Sequence, residues 1–242
     1  MNTSMNRRIF SSVKDLYLNA AEDFKTRALR AIDSGGRFCA VLAGGSTPKG
    51  VYAALAQLEG VPWTGIHLFW GDERCVPPDH PDSNFGMARV TLLDQIVIPH
   101  ENIHRIKGEL GASAAVLEYQ AQLELMFGGL PTFDLIHLGL GFDGHTASLF
   151  PGQTTLERSD WVLDAFPNPD LTPQVARVTV GFTILNAARV VQFFVTGAGK
   201  ADIFSKLGND LYPADRVRSL ETQWWLDATV LENESVTIIN KQ

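Results

Sequence analysis

Along most of this 242-residue chain, short apolar runs alternate with amphipathic segments, and that alternation restricts the folds open to it. Val13 to Ser34 carries Val13, Leu16, Tyr17, Ala20, Phe24, Ala28, Leu29 and Ile32 at three- and four-residue spacing, which predicts a helix ended by Gly35-Gly36. Phe38 to Ala43 follows as a buried strand. Thr47, with Pro48 at the first helical position, then opens a helix running to about Leu58. The pattern repeats: a strand at Ile66 to Trp70, a helix capped by Ser83 or Asn84 and running to Ile96, a weak strand at Asn102 to Ile106, a helix from Ser113 to Phe127 and a strand at Phe133 to Leu138. Strands are also predicted at Trp161 to Ala165, Val178 to Val180, Val190 to Thr196 and Ser235 to Ile239, with helical segments at Thr183 to Ala188 and Lys200 to Leu207. Such alternation predicts an α/β protein, a mostly parallel Rossmann-like sheet with helices on both faces. Residues 1–242 read as a single domain, with no repeat or linker.

In open α/β sheets, ligands bind outside the carboxyl ends of the strands, so the turns that follow strands are the places to look for chemistry. Three stand out. LGLGFDGHTASLFPG, Leu138 to Gly152, carries Asp143 and His145 two residues apart in a glycine-rich turn, with Thr146-Ala147-Ser148 read as a helix start. A histidine beside a carboxylate is a general base with its orienting partner, or equally a solvated pair in a tight turn. VLAGGSTPKGVY, Val41 to Tyr52, places Gly44, Gly45, Ser46 and Thr47 before a helix, an anion cradle in which unpaired amides and the helix dipole face a ligand. It lacks the Walker lysine and the Rossmann glycine spacing, which argues against a nucleotide. FWGDERCVPPDHPDSNFGMAR, Phe69 to Arg89, brings Asp72, Glu73 and Arg74 off a strand end. Arg74 suits an anion or a developing oxyanion, although Glu-Arg neighbours are common on surfaces. Arg177 and Lys200 also stand at element ends, as further candidates to neutralise a phosphate or as solvated charges.

Composition narrows the classes. The formal charge is −7 and basic residues are scattered singly along the sequence, unlike a nucleic-acid groove. No run approaches the roughly 20 apolar residues of a membrane span, and the N-terminus has no apolar signal core. Two cysteines, Cys39 and Cys75, make neither a disulfide framework nor a thiolate metal site, which fits a cytoplasmic protein. A lowered thiol pKa is conceivable for Cys75 beside Arg74, but without a paired histidine a nucleophilic role does not follow. His67 and His137 lie within apolar strands, and His80, His100 and His104 show no metal-ligand spacing. Trp224-Trp225 reads as core. A Gly-X-Ser-X-Gly elbow is absent.

The three segments in this order resemble the 6-phosphogluconolactonases, with RVTVGFTILNAARVVQFFVTGAGKA and WWLDA as further points of likeness. The resemblance spans nearly the whole chain. It implies a carboxylic ester hydrolase of the pentose phosphate pathway that opens 6-phospho-D-glucono-1,5-lactone to 6-phosphogluconate, with no metal or cofactor, as a monomer or homodimer. It implies His145 as base, Asp143 as its orienting partner and Arg74 at the tetrahedral intermediate. It places Gly44, Gly45, Ser46, Thr47, Arg177 and Lys200 at the phosphate, Asn84 in the sugar pocket, and Asp72 nearby without a settled role. The related glucosamine-6-phosphate deaminases share two of the turns but carry a glutamate where this chain has Phe150, and an apolar ring cannot replace that acid, which favours the lactonase; an amino-sugar isomerase or deaminase and a non-catalytic sugar-phosphate sensor are the other expectations. A departure from the lactonase pattern is Phe142, where a small acidic residue is frequent.

Overall fold

The computed structural model describes residues 5–231. Its frame is a seven-stranded sheet in the order β1-β10-β9-β6-β2-β3-β5, in which every pairing is parallel. The strands are β1 (Asn6–Phe10), β2 (Phe38–Leu42), β3 (Ile66–Trp70), β5 (Ile103–His104), β6 (Leu135–Gly139), β9 (Val190–Val195) and β10 (Glu221–Asp227). Central strands such as β2 and β9 are buried along their whole length, as continuous apolar runs require when helices cover both faces of a sheet. The helices are α1 (Val13–Gly35), α2 (Ser46–Leu55), α3 (Asn84–Thr91), α4 (Ala112–Phe127), α5 (Phe182–Ala187) and α6 (Ala201–Ser205).

Local chemistry explains several boundaries. Ser12 caps α1 through its hydroxyl on the Asp15 amide, and Gly36, at φ 79°, closes it with a bond to the Ile32 carbonyl. Ser83 caps α3 through the amide of Gly86. The helix expected to have Pro48 at its first position begins two residues earlier, at Ser46, and stops at Leu55 rather than Leu58. Gly45 stands at its N-cap with φ 103°, a turn closed to other residues, and this draws Ser46 and Thr47 into the first turn. The helix expected to reach Ile96 ends at Thr91, with Leu93–Gln95 continuing as a separate 3₁₀ turn.

Two strands have no counterpart in the sequence reading. Edge strand β1 is short and rich in charge, and β10 was legible only as a core tryptophan pair. Asp72–Arg74, expected as a strand end, is itself a strand, β4. It forms a second, antiparallel sheet with β8 (Arg177–Val180) and β7 (Val162–Ala165), in the order β4-β8-β7. Gly71 joins the two sheets: its amide donates to Leu42 and its carbonyl accepts from Val180. The strand expected at Ser235 to Ile239 lies outside the described residues.

Strand order fixes where a ligand can sit. From β2 the chain steps outward through β3 to β5, then returns to β6 on the other flank of β2 and continues to β9 and β10. The direction of winding reverses between β2 and β6. Their carboxyl ends diverge there into a crevice, into which the Gly44–Thr47 turn and the Asp143–His145 turn both open.

Candidate active site

A cavity of about 530 Å³ occupies this crevice. Gly44, Gly45, Ser46, Thr47, Asp72, Arg74, Asn84, His145, Arg177 and Lys200 all line it. Of the expected site residues only Asp143 does not, and it stands behind the histidine. Residues up to 156 positions apart in sequence thus face one space, which only the sheet topology brings about.

The β6 turn carries the acid–base pair. His145 Nδ1 lies 2.5 Å from Asp143 Oδ1, which also accepts the His145 amide at 3.1 Å. That contact assigns the proton to Nδ1 and leaves Nε2 as the free basic nitrogen. Burial works to raise the Asp143 pKa, but the hydrogen bonds and charge of His145 outweigh it and hold the carboxyl below its usual value. A Cβ at Gly141 would collide with the imidazole at Nδ1, so this glycine is required for the pair to form. The ring of His145 packs on the buried Phe150 at 5.0 Å between centroids, and the Arg177 guanidinium lies 5.5 Å from the same phenyl ring. One apolar side chain therefore locates both the base and a cation.

Thr146-Ala147-Ser148, expected as a helix start, is instead a tight loop with Ala147 at φ 48°. Hydrogen bonds hold it there. The Thr146 hydroxyl donates to the Gly139 carbonyl at 2.9 Å, the Ser148 amide donates to Thr179 Oγ1 at 3.2 Å, and the Ser148 hydroxyl donates to Asp72 Oδ2 at 2.6 Å. Small polar residues that would cap a helix satisfy partners on other strands instead. Asp72 also accepts from Asn84 Nδ2 at 3.0 Å, so its carboxylate is a buried tie among three segments. Asn84 in turn packs against Gly44, where any Cβ would strike its amide.

The cations come largely from the second sheet. Arg74 and Arg177 are direct cross-strand partners of β4 and β8, so their side chains share a face. Like charges in that register repel, and an anion in the crevice would relieve the repulsion. Arg177 is only 4% exposed. Burial, reinforced by the charge of Arg74 and opposed by Asp72, draws its pKa down. Arg74 is oriented by a 2.5 Å bond from Nη1 to the Asp82 carbonyl. Lys200 follows Gly197, whose amide is anchored by Asp227 Oδ1 at 2.7 Å. Burial lowers the Lys200 pKa to about 8 against the pull of Asp143. The Thr47 hydroxyl shares a hydrogen bond of 2.7 Å with that of Thr196, tying the β2 turn to the β9 turn. The cradle proper is the start of α2, where the amides of Ser46 and Thr47 have no partner one turn back.

Glu73, named in the sequence reading as one of three residues off a strand end or as half of a surface Glu-Arg pair, received no role of its own there. Glu73 is buried and accepts from the amides of Arg74, Asn84 and Phe85 and from the Ser83 hydroxyl. Burial raises its pKa against those four bonds. It fixes the Phe69–Arg89 segment so that Asp72, Arg74 and Asn84 reach the crevice. Cys75 corrects another expectation: burial and the charge of Glu73 raise its thiol pKa. Among the described residues no group of three or more His, Cys, Asp or Glu side chains is placed to hold a metal, and no helix is long and apolar enough to cross a membrane.

The model of the glucosamine-6-phosphate isomerases/6-phosphogluconolactonase family matches residues 11–225. The chain belongs to this family. It is 42% identical over 214 residues to the 6-phosphogluconolactonase of a Nostoc species, covering 84% of this chain and 87% of that one. It is 42% identical over 223 residues to its Synechocystis counterpart, at 86% and 89% coverage. Among solved structures, the 6-phosphogluconolactonase from Trypanosoma cruzi superposes with a TM-score of 0.86 at 27% identity, over 98% of this chain and 99% of that chain. At position 150 this chain carries a buried phenyl ring and no carboxylate.

Proposed function

We propose that this chain hydrolyses 6-phospho-D-glucono-1,5-lactone to 6-phosphogluconate by general-base activation of water. The carrying observation is the single crevice in which the Asp143-oriented His145 faces Arg177, Lys200 and the Ser46 turn. The names of the relatives at 42% identity support the same reading.

The α2 amides, Arg177 and Lys200 hold the phosphate dianion, and its binding energy orients the lactone ring at the other end of the crevice. His145 Nε2 takes a proton from water as the oxygen attacks the lactone carbonyl. Asp143, ionised and bonded to Nδ1, stabilises the imidazolium that forms. Arg74 offsets charge on the tetrahedral oxygen. Collapse of that intermediate expels the ring oxygen, which takes up the proton carried by His145, leaving the open-chain acid. Asn84 shapes the sugar pocket. Asp72 positions Asn84 and Ser148, a structural assignment its buried hydrogen bonds favour over a proton-transfer role. A strained cyclic ester needs neither metal nor cofactor, and on this reading the enzyme acts in the cytoplasm as a monomer or homodimer.

The test follows acid release from freshly generated lactone against its spontaneous opening. Acceleration well above that background supports the reading. Absence of acceleration, or release of ammonia from glucosamine 6-phosphate, would overturn it.

A further inference from the structure

We propose that Phe142 is a positioning residue for the Lys200 ammonium and thereby sets how strongly the site prefers a phosphorylated substrate; this rests on Lys200 as a phosphate ligand. Phe142 lies on the turn after β6 and Lys200 on the turn after β9, and the pairing of those strands places the two turns side by side. Lys200 Nζ sits 3.3 Å from the centroid of the Phe142 ring. The ring is 70% exposed, so burial does not account for its placement. Both residues line the crevice.

Among the described residues the ammonium makes no hydrogen bond and no ion pair. Asp143 attracts it through space only. A carboxylate partner would hold the lysine but would also neutralise it and occupy its N–H groups. An aromatic face attracts a cation through its quadrupole and takes none of those donors. Lys200 is thereby held over the crevice with its charge intact and its donors available for phosphate oxygens. A long flexible stem that is already ordered loses less freedom when the ligand arrives.

The experiment measures kcat and KM of Phe142→Ala, Phe142→Tyr and Phe142→Glu, each in the wild-type and Lys200→Ala backgrounds. The substrates are the phosphorylated lactone and unphosphorylated glucono-1,5-lactone, with inorganic phosphate as competitive inhibitor. Phe142→Ala is expected to raise KM for the phosphorylated lactone and the phosphate inhibition constant by about two- to tenfold, the worth of a partly exposed cation–π contact, with the change in KM exceeding that in kcat. Tyrosine retains the π face and restores wild-type values. Glutamate, which pairs with the lysine and repels phosphate, weakens binding more than alanine does. None of the three alters KM for the unphosphorylated lactone or adds to the effect of Lys200→Ala. Equal losses with both lactones, failure of tyrosine to rescue, or additivity with Lys200→Ala would overturn the proposal. If Lys200→Ala itself leaves phosphate affinity unchanged, the reading of Lys200 fails. If Lys200→Ala weakens phosphate binding and Phe142→Ala does not, only the role of Phe142 fails.

Discussion

At the residue scale the site depends on two groups held in opposite ways. His145 has a partner on one nitrogen only, so replacing it by asparagine preserves much of the shape and removes the base. We expect the rate constant for lactone opening to fall by about 10²–10⁴-fold, the usual worth of general-base catalysis, with little change in phosphate inhibition. An unaltered rate constant would remove His145 from the proton transfer. Lys200 is the second. Its folded pKa is drawn down to about 8, so the ammonium is fully charged below that value and loses its proton as pH rises through it. KM for the phosphorylated lactone is therefore expected to climb above about pH 8, and a profile recorded with Lys200→Arg is expected to stay flat there. The profile of kcat/KM against pH for the two proteins checks this.

At the element scale, the working parts are turns whose shapes are imposed from outside. Strand β4 and the start of α3 are joined by a long loop, and Glu73 holds that loop by accepting four hydrogen bonds in a buried position. Glu73→Gln keeps the volume but offers one acceptor oxygen in place of two, leaving buried donors unpaired. We expect a loss of about 1–3 kcal/mol in unfolding free energy, measured by denaturant titration. We also expect reduced kcat/KM, because Arg74 and Asn84 ride on the same segment; a variant as stable and active as the wild type would refute the assignment. The helix and strand alternation that predicts this architecture was legible because apolar periodicity is local. The Thr146–Ser148 loop was not, because its hydroxyls bond to Gly139 and Asp72 and its amide to Thr179, on other strands. Nor was strand β1, whose mostly exposed side chains leave no apolar alternation to read.

At the scale of the whole molecule, the described sheet has two working ends. At the carboxyl ends of the strands lies the crevice, where cations from α6's approach and from the antiparallel sheet meet the α2 start. If that crevice holds phosphate, inorganic phosphate binds the folded state alone and stabilises it by about 2.7 kcal/mol at a hundred times its dissociation constant, so the melting temperature must rise with phosphate concentration. The shift is expected to shrink in Lys200→Ala, and thermal unfolding in increasing phosphate measures it. At the opposite end, Arg27, Arg30 and Arg37 join the distant Arg189 in lining a second cleft with the last residues of α1 and α4. Arg37 donates to the Met126 carbonyl, while Arg27 and Arg189 pair with Asp23 and Asp134. Of these cations, Arg37 complements a helix C-terminus, that of α4. Their clustering reverses the impression of scattered single charges that the linear sequence gives.

The amino-acid sequence alone determined the α/β class, most of the sheet strands and the three ligand-facing turns. These rest on periodicity, on glycine where the backbone must turn, and on hydroxyl and carboxylate side chains just beyond strand ends, all of which act over a few residues. Only the tertiary structure decided that β4 leaves the main sheet to set Arg74 opposite Arg177, that Phe150 seats both His145 and Arg177, and that Phe142 lies under Lys200. Those contacts join residues that strand order makes neighbours, and strand order is settled by how the whole set of apolar faces can be buried at once.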